Sequence, residues 1–156
     1  MTPQRNSCQF PSVLVVEDND DSRLVLSLAL EAIQVEHRCL SRGEQVLETV
    51  EQRYPSLILL DIALPDINGL LLVRSLKASA KTLAIPIIAI TALATDGCEQ
   101  QIIAAGCDGY LSKPFLLDDL YSLIAQYLPP PADLLHPPTT AAAPEFDPPA
   151  LAVERA

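Results

Sequence analysis

Short apolar runs alternate along the chain with amphipathic stretches, and the alternation stops near residue 128. Residues 12–16 (SVLVV) form a β-branched run that breaks into Glu17-Asp18-Asn19-Asp20-Asp21, a strand followed by a polar turn. Leu24, Val25, Leu28, Ala29 and Ala32 then recur at helical spacing and predict a first amphipathic helix. The same logic predicts strands at 35–39, 57–60, 86–90 and 109–111, and helices at 44–53, 70–80, 96–105 and 117–128. The result is five β-then-α units. Runs 13–16, 57–60 and 87–90 are solidly apolar, as strands buried on both faces are, so helices must cover both sides of one parallel sheet. Connections of this length imply right-handed crossovers.

Proline sets the boundary of the folded part. Eight of the 14 prolines fall in residues 129–156, which hold too few aromatic residues for a core of their own. Residues 10–128 are therefore expected to be one α/β domain, and 129–156 a Pro-rich, disordered tail. A formal charge of -10 argues against direct nucleic-acid binding, because nothing resembles a basic patch that could neutralise phosphates. Cys8, Cys39, Cys98 and Cys107 are too far apart for a CxxC metal motif, and His37 and His136 add no ligand cluster. The chain starts without the apolar stretch of a signal peptide and has no apolar run long enough for membrane insertion, so a reducing cytoplasm is the expected setting.

Polar residues interrupt the pattern where ligands bind in parallel sheets, beyond the carboxyl ends of strands. The first strand releases Glu17 and Asp18, the third Asp61, the fourth Thr91 and the fifth Lys113, shortly after Tyr110. If strands one, three and four are neighbours, Glu17, Asp18 and Asp61 share one small acidic volume. Crowded carboxylates call for a cation, and a hard divalent ion such as Mg²⁺ suits oxygen ligands. A lysine opposite can hold an anionic group as a point charge, and a threonine hydroxyl can donate to a phosphoryl oxygen. Together they describe phosphoryl transfer onto a carboxylate. Asp20 and Asp21 read as helix-start residues, and Asp66 and Asp108 as turn residues.

The segments VLVVEDND (13–20), LILLDIALPDINGL (57–70), IPIIAITA (85–92) and GCDGYLSKPF (106–115) resemble the receiver domain of bacterial two-component response regulators. The resemblance implies a flavodoxin-like (βα)5 doubly wound sheet, a three-layer sandwich with strand order 2-1-3-4-5. It assigns Mg²⁺ to Glu17, Asp18, Asp61 and the backbone carbonyl of Ala63. It makes Asp61 the phosphoacceptor, Lys113 and Thr91 its partners in transfer, and Thr91 with Tyr110 the switch pair. A cis Lys113–Pro114 bond is also implied. The donor would be a sensor histidine kinase or a phosphotransfer protein. Output would go to a downstream protein target, or to a homodimer through the face of the fourth helix, fifth strand and fifth helix. Such a chain is not an enzyme apart from Mg²⁺-dependent self-phosphorylation and slow self-dephosphorylation.

Ala63 and Leu93 stand two residues after the acceptor and the threonine, positions that govern phosphoryl loss in such receivers. Neither offers a hydrogen bond to water, so a long-lived phosphorylated state is expected. The 28 residues after Leu128 are too few for a DNA-binding output domain, and the initial Met1 favours a stand-alone regulator. A phosphorelay intermediate and the receiver portion of a larger hybrid protein are the alternatives within signalling. A phosphorylation-independent interaction module is a further one. An aspartate-nucleophile hydrolase of the haloacid dehalogenase type would need an acidic residue at position 63.

Overall fold

The computed structural model describes residues 12–92 and 97–128. Expectations for residues 10 and 11, Leu93, Asp96 and the 129–156 tail lie outside them. The elements run β1 (Ser12–Val16), α1 (Asp20–Ala32), β2 (Glu36–Leu40), a 3-10 turn (Gly43–Gln45) leading into α2 (Val46–Gln52), and β3 (Leu57–Asp61). They continue with α3 (Gly69–Ala78), β4 (Ile87–Thr91), α4 (Cys98–Ala105), β5 (Gly109–Ser112) and α5 (Leu117–Tyr127). All strand pairs are parallel and the order is β2-β1-β3-β4-β5, as expected. Every residue of β3 and β4 is buried, whereas the edge strand β2 alternates exposed and covered positions. The apolar runs at the centre and the mixed sequence of the edge are thus explained by position in the sheet.

Two apolar layers enclose the sheet. Leu14, Val16, Ile58, Leu60 and Ala89 meet α2, α3 and α4 through Val46, Val50, Leu72, Leu76 and Ile102. Val13, Val15, Leu57, Leu59 and Ile90 meet α1 and α5 through Leu26, Leu30, Leu120 and Ile124. The stripe read from sequence on α1 is corrected here: Leu24, Val25 and Leu28 are exposed, and Leu26, Ala29 and Leu30 face the core. With apolar side chains at 24–26 and 28–30, the helix offers two apolar faces, and periodicity does not say which one the sheet takes. The apolar start of α3 divides likewise, Leu72 inward and Leu71 outward. No helix among the described residues is long and apolar enough to cross a membrane.

Two aspartates read as turn residues carry tertiary structure. Asp66 accepts the Gly43 N–H at 3.2 Å and the Glu44 N–H at 3.0 Å, tying the loop after β3 to the start of the 3-10 turn. Its slight burial opposes ionisation, but these N–H donors and Arg42 outweigh that and hold its carboxyl below the ordinary 3.8. Asp108 receives Lys77 Nζ at 2.9 Å and the Ile87 N–H at 2.9 Å on the same oxygen. The Lys77 ammonium also donates to the carbonyls of Ile85 at 2.8 Å and Leu83 at 3.3 Å, so α3, β4 and β5 are joined at their lower ends. Gly106, at φ +113° after α4, lies against this lysine, and a Cβ there would stand 2.9 Å from Lys77 Cγ.

Replacing Lys77 by Met leaves the Ile85 carbonyl without its ammonium donor and Asp108 with the Ile87 N–H but no cation. We expect a loss of about 1–3 kcal/mol in urea unfolding; an unchanged midpoint contradicts the role given to this lysine. A depressed folded-state value at Asp66 means its contribution is present above 3.8 and is lost as pH falls through the depressed value. The stability gap between wild type and Asp66→Ala should therefore narrow on acidification below 3.8. A gap independent of pH would contradict the assignment.

Candidate functional site

Strand order places the site. Between β1 and β3 the chain leaves in opposite directions, α1 to one face of the sheet and α3 to the other, which opens a crevice at the carboxyl edge. Glu17 follows the last residue of β1, Asp61 ends β3, Thr91 ends β4, and Lys113 follows β5. Register alone therefore brings residues far apart in sequence to one edge. The loop after β3 is held close by Gly69, the first residue of α3, where a Cβ would stand 2.6 Å from both the Cα and the carbonyl oxygen of Ile62. Asn68 caps that helix, accepting the Leu70 N–H at 3.0 Å.

The carboxylates converge. One ligand oxygen each from Glu17, Asp18 and Asp61 lies within 4.8 Å of the others, with Glu17 and Asp61 buried and Asp18 exposed. Lys113 Nζ donates to Glu17 Oε2 at 2.5 Å and to Asp61 Oδ2 at 3.2 Å. The other oxygen of each buried carboxylate takes a backbone N–H, Asn19 to Glu17 Oε1 at 3.1 Å and Ala63 to Asp61 Oδ1 at 2.8 Å. Glu17 is further anchored by its own N–H, which donates to the Leu40 carbonyl at 3.0 Å.

One ammonium between two buried carboxylates leaves negative charge unmatched. Burial pushes Glu17 up, and Asp61 adds to the rise, while Lys113 and the Asn19 N–H oppose it without cancelling it. Burial alone would lower Lys113, but hydrogen bonding and charge from Glu17 and Asp61 outweigh it and raise the group. The rise at Lys113 reflects the negative charge of its two carboxylate partners, whereas that at Glu17 comes first from burial. An all-oxygen donor set, two buried and one open to water, fits a hard divalent cation that keeps part of its hydration.

Thr91 is wholly buried, and its carbonyl accepts the Lys113 N–H at 2.9 Å. Tyr110 pairs with Ala89 across β4 and β5, so its side chain and that of Thr91 lie on the same face, toward α4. The ring is half-buried and packs against that core layer. The Lys113–Pro114 bond is cis. Ala63 is exposed beside Asp61; Leu93 lies outside the described residues.

Sequence reading missed two parts of the site's support. Asp20 and Asp21 stand in the first turn of α1, as expected, but the cap is Asn19, which accepts the Ser22 N–H at 2.9 Å. Its type and place before the apolar run were a legible signal. Arg23 extends back over the acidic loop to the Glu17 carbonyl at 3.0 Å, which spacing alone does not reveal. His37 is a half-buried structural residue, with Nε2 2.7 Å from Ser27 Oγ and Nδ1 3.0 Å from the Val35 carbonyl. Cys107 is buried and its thiol pushed up to about 12, first by burial and then by Asp108.

A model of the response regulator receiver domain family matches residues 13–125. The polar-differentiation response regulator DivK of Brucella ovis is 36% identical over 117 residues, covering 75% of this chain and 95% of the relative. A solved structure described as a response regulator from Chloroflexus aurantiacus superposes with a TM-score of 0.72 at 28% identity, covering 75% of this chain and 97% of the other. The receiver domain of a sensor histidine kinase from Pseudomonas aeruginosa PAO1 gives a TM-score of 0.70 at 29% identity, covering 75% and 96%. That domain has a magnesium ion coordinated in its active-site cleft.

Proposed function

The chain belongs to the response regulator receiver domain family, and from that premise we propose that its phosphorylatable residue is Asp61. The donor is a phosphohistidine of a sensor histidine kinase or phosphotransfer protein. An Asp61 carboxylate oxygen attacks phosphorus, the histidine N–P bond breaks, and an acyl phosphate forms while the imidazole leaves. The observation that carries this reading is the meeting of Glu17, Asp18 and Asp61 within 4.8 Å, with Lys113 Nζ 3.2 Å from Asp61. Lys113 balances charge on the attached phosphoryl oxygens. Glu17, Asp18, Asp61 and the Ala63 carbonyl would hold Mg²⁺, which supplies charge neutralisation and orientation when bound. The domain is a signalling switch, whose one product is its own modified side chain.

Thr91 and Tyr110 share the face toward α4, which supports a switch in which the Thr91 hydroxyl turns to the phosphoryl group and the Tyr110 ring follows inward. Output then runs through protein contacts of the α4, β5 and α5 face, to a downstream target or a second copy. The donor side is different. Leu24, Val25 and Leu28 of α1 and Leu116 and Leu117 at the start of α5 are exposed apolar residues, on helices that both begin at the carboxyl edge. The two helices share one sheet face, joined by the Tyr121 hydroxyl donating to the Ala29 carbonyl at 3.1 Å. This surface suits docking of the donor protein beside Asp61.

Incubation with a small phosphodonor and Mg²⁺, read by intact mass, should add one phosphoryl group to wild type and none to Asp61→Ala. Addition to both would contradict the assignment. With Ala63 at the rim offering no hydrogen bond to an attacking water, the phosphoryl group should persist for hours in the purified protein. Its loss within a minute at neutral pH would overturn that expectation.

A further inference from the structure

The acidic pair sits in a loop of only three residues, Glu17 to Asn19, between β1 and α1. Its carboxylates are useful only if the backbone aims them at Asp61. Glu17 has direct anchors in Lys113 and the Asn19 N–H. Asp18 is exposed, so its direction depends on the backbone that carries it. One side chain grips that backbone. Arg23 Nη1 donates to the Glu17 carbonyl at 3.0 Å and, more loosely, to the Asp18 carbonyl at 3.4 Å. Its Nη2 pairs with the Asp20 carboxylate, and the Arg23 N–H donates to the Asn19 carbonyl at 2.9 Å. The Arg23 side chain is three-quarters covered, at 25% exposure, while that of Asp20 is 88% exposed. The better-covered partner is therefore the arginine, lying along the loop with Asp20 steadying it from the solvent side.

We propose that Arg23 is a positioning residue for the acidic pair and thereby strengthens Mg²⁺ binding, an inference that rests on the Mg²⁺ reading of the site. A rigid planar fork can span two carbonyls and a carboxylate at once, which a lysine ammonium cannot do with the same geometry. Groups that orient ligands without touching the ion commonly change metal affinity by about tenfold or more. Charge and positioning make opposite predictions here. A guanidinium near a divalent cation repels it, so on charge alone a neutral replacement tightens binding. If Arg23 acts by holding the loop, the same replacement weakens it.

Mg²⁺ titration of the full chain by isothermal calorimetry separates the two, with urea unfolding of each metal-free protein to establish that it is folded. Arg23→Met should weaken Mg²⁺ binding by about tenfold. Arg23→Lys should fall between Met and wild type, and Asp20→Ala should give a smaller loss, since it frees the fork without removing it. Arg23→Lys, which keeps the charge and changes only the fork, keeps the test open if Arg23→Met does not fold. A folded Arg23→Met that binds as tightly as wild type, or more tightly, overturns the inference, as does an Arg23→Lys indistinguishable from wild type. Absence of Mg²⁺ binding in wild type overturns the reading of the site itself.

Discussion

Two carboxylates withdrawn from water, Glu17 at 1% exposure and Asp61 at 7%, share one ammonium from Lys113. Burying a carboxylate without compensation is costly, and removing one partner from such a group leaves an unmatched charge. The lysine and two backbone N–H groups offset part of that cost and leave the rest as an affinity for added positive charge. Asp18 extends the negative region to the surface, where an ion can enter from water. The site is thus an unfinished electrostatic unit, and the proposed cation binding and phosphoryl transfer would both build on the shortfall.

The fold exists to hold that unit open at one edge. Five parallel strands end at the same side, and the reversal of direction between β1 and β3 keeps helices away from the crevice. Apolar packing on both faces fixes strand register, and a one-residue slip would turn each strand-end side chain to the other face. At the lower end, Lys77 and Asp108 tie α3 to β4 and β5. Asp66 secures the loop that follows β3 to the one that follows β2. The supports of the site therefore lie well beyond the residues that touch it.

The strands were legible because each follows from a local pattern, whereas the sheet order, and with it the convergence at the carboxyl edge, was implied by the resemblance to receiver domains. Solid apolar runs marked buried strands, and single polar residues at their ends marked the edge. The expectation from the response regulator resemblance agrees with the match over residues 13–125. Less legible was whatever depended on a choice between two equally apolar surfaces. On α1, Leu24 and Leu28 share helical spacing as well as Leu26 and Leu30 do, and only the docked sheet decides. The same holds for Asp66 and Asp108, whose turn-forming character was correct as far as it went. Their partners stand 22 and 31 residues away in sequence at Glu44 and Lys77, and no local pattern specifies such a pairing. Arg23 could be placed on a helix from sequence, but its reach back to the Glu17 carbonyl is a matter of three-dimensional geometry.

The most direct measurement is a crystal structure of the protein with Mg²⁺ and beryllofluoride, which mimics an attached phosphoryl group. The account predicts the adduct on Asp61, its fluorines met by Lys113 Nζ and the Thr91 hydroxyl, and one cation held by Glu17, Asp18, Asp61 and the Ala63 carbonyl. An adduct on another residue, or a cation bound away from these carboxylates, would contradict it.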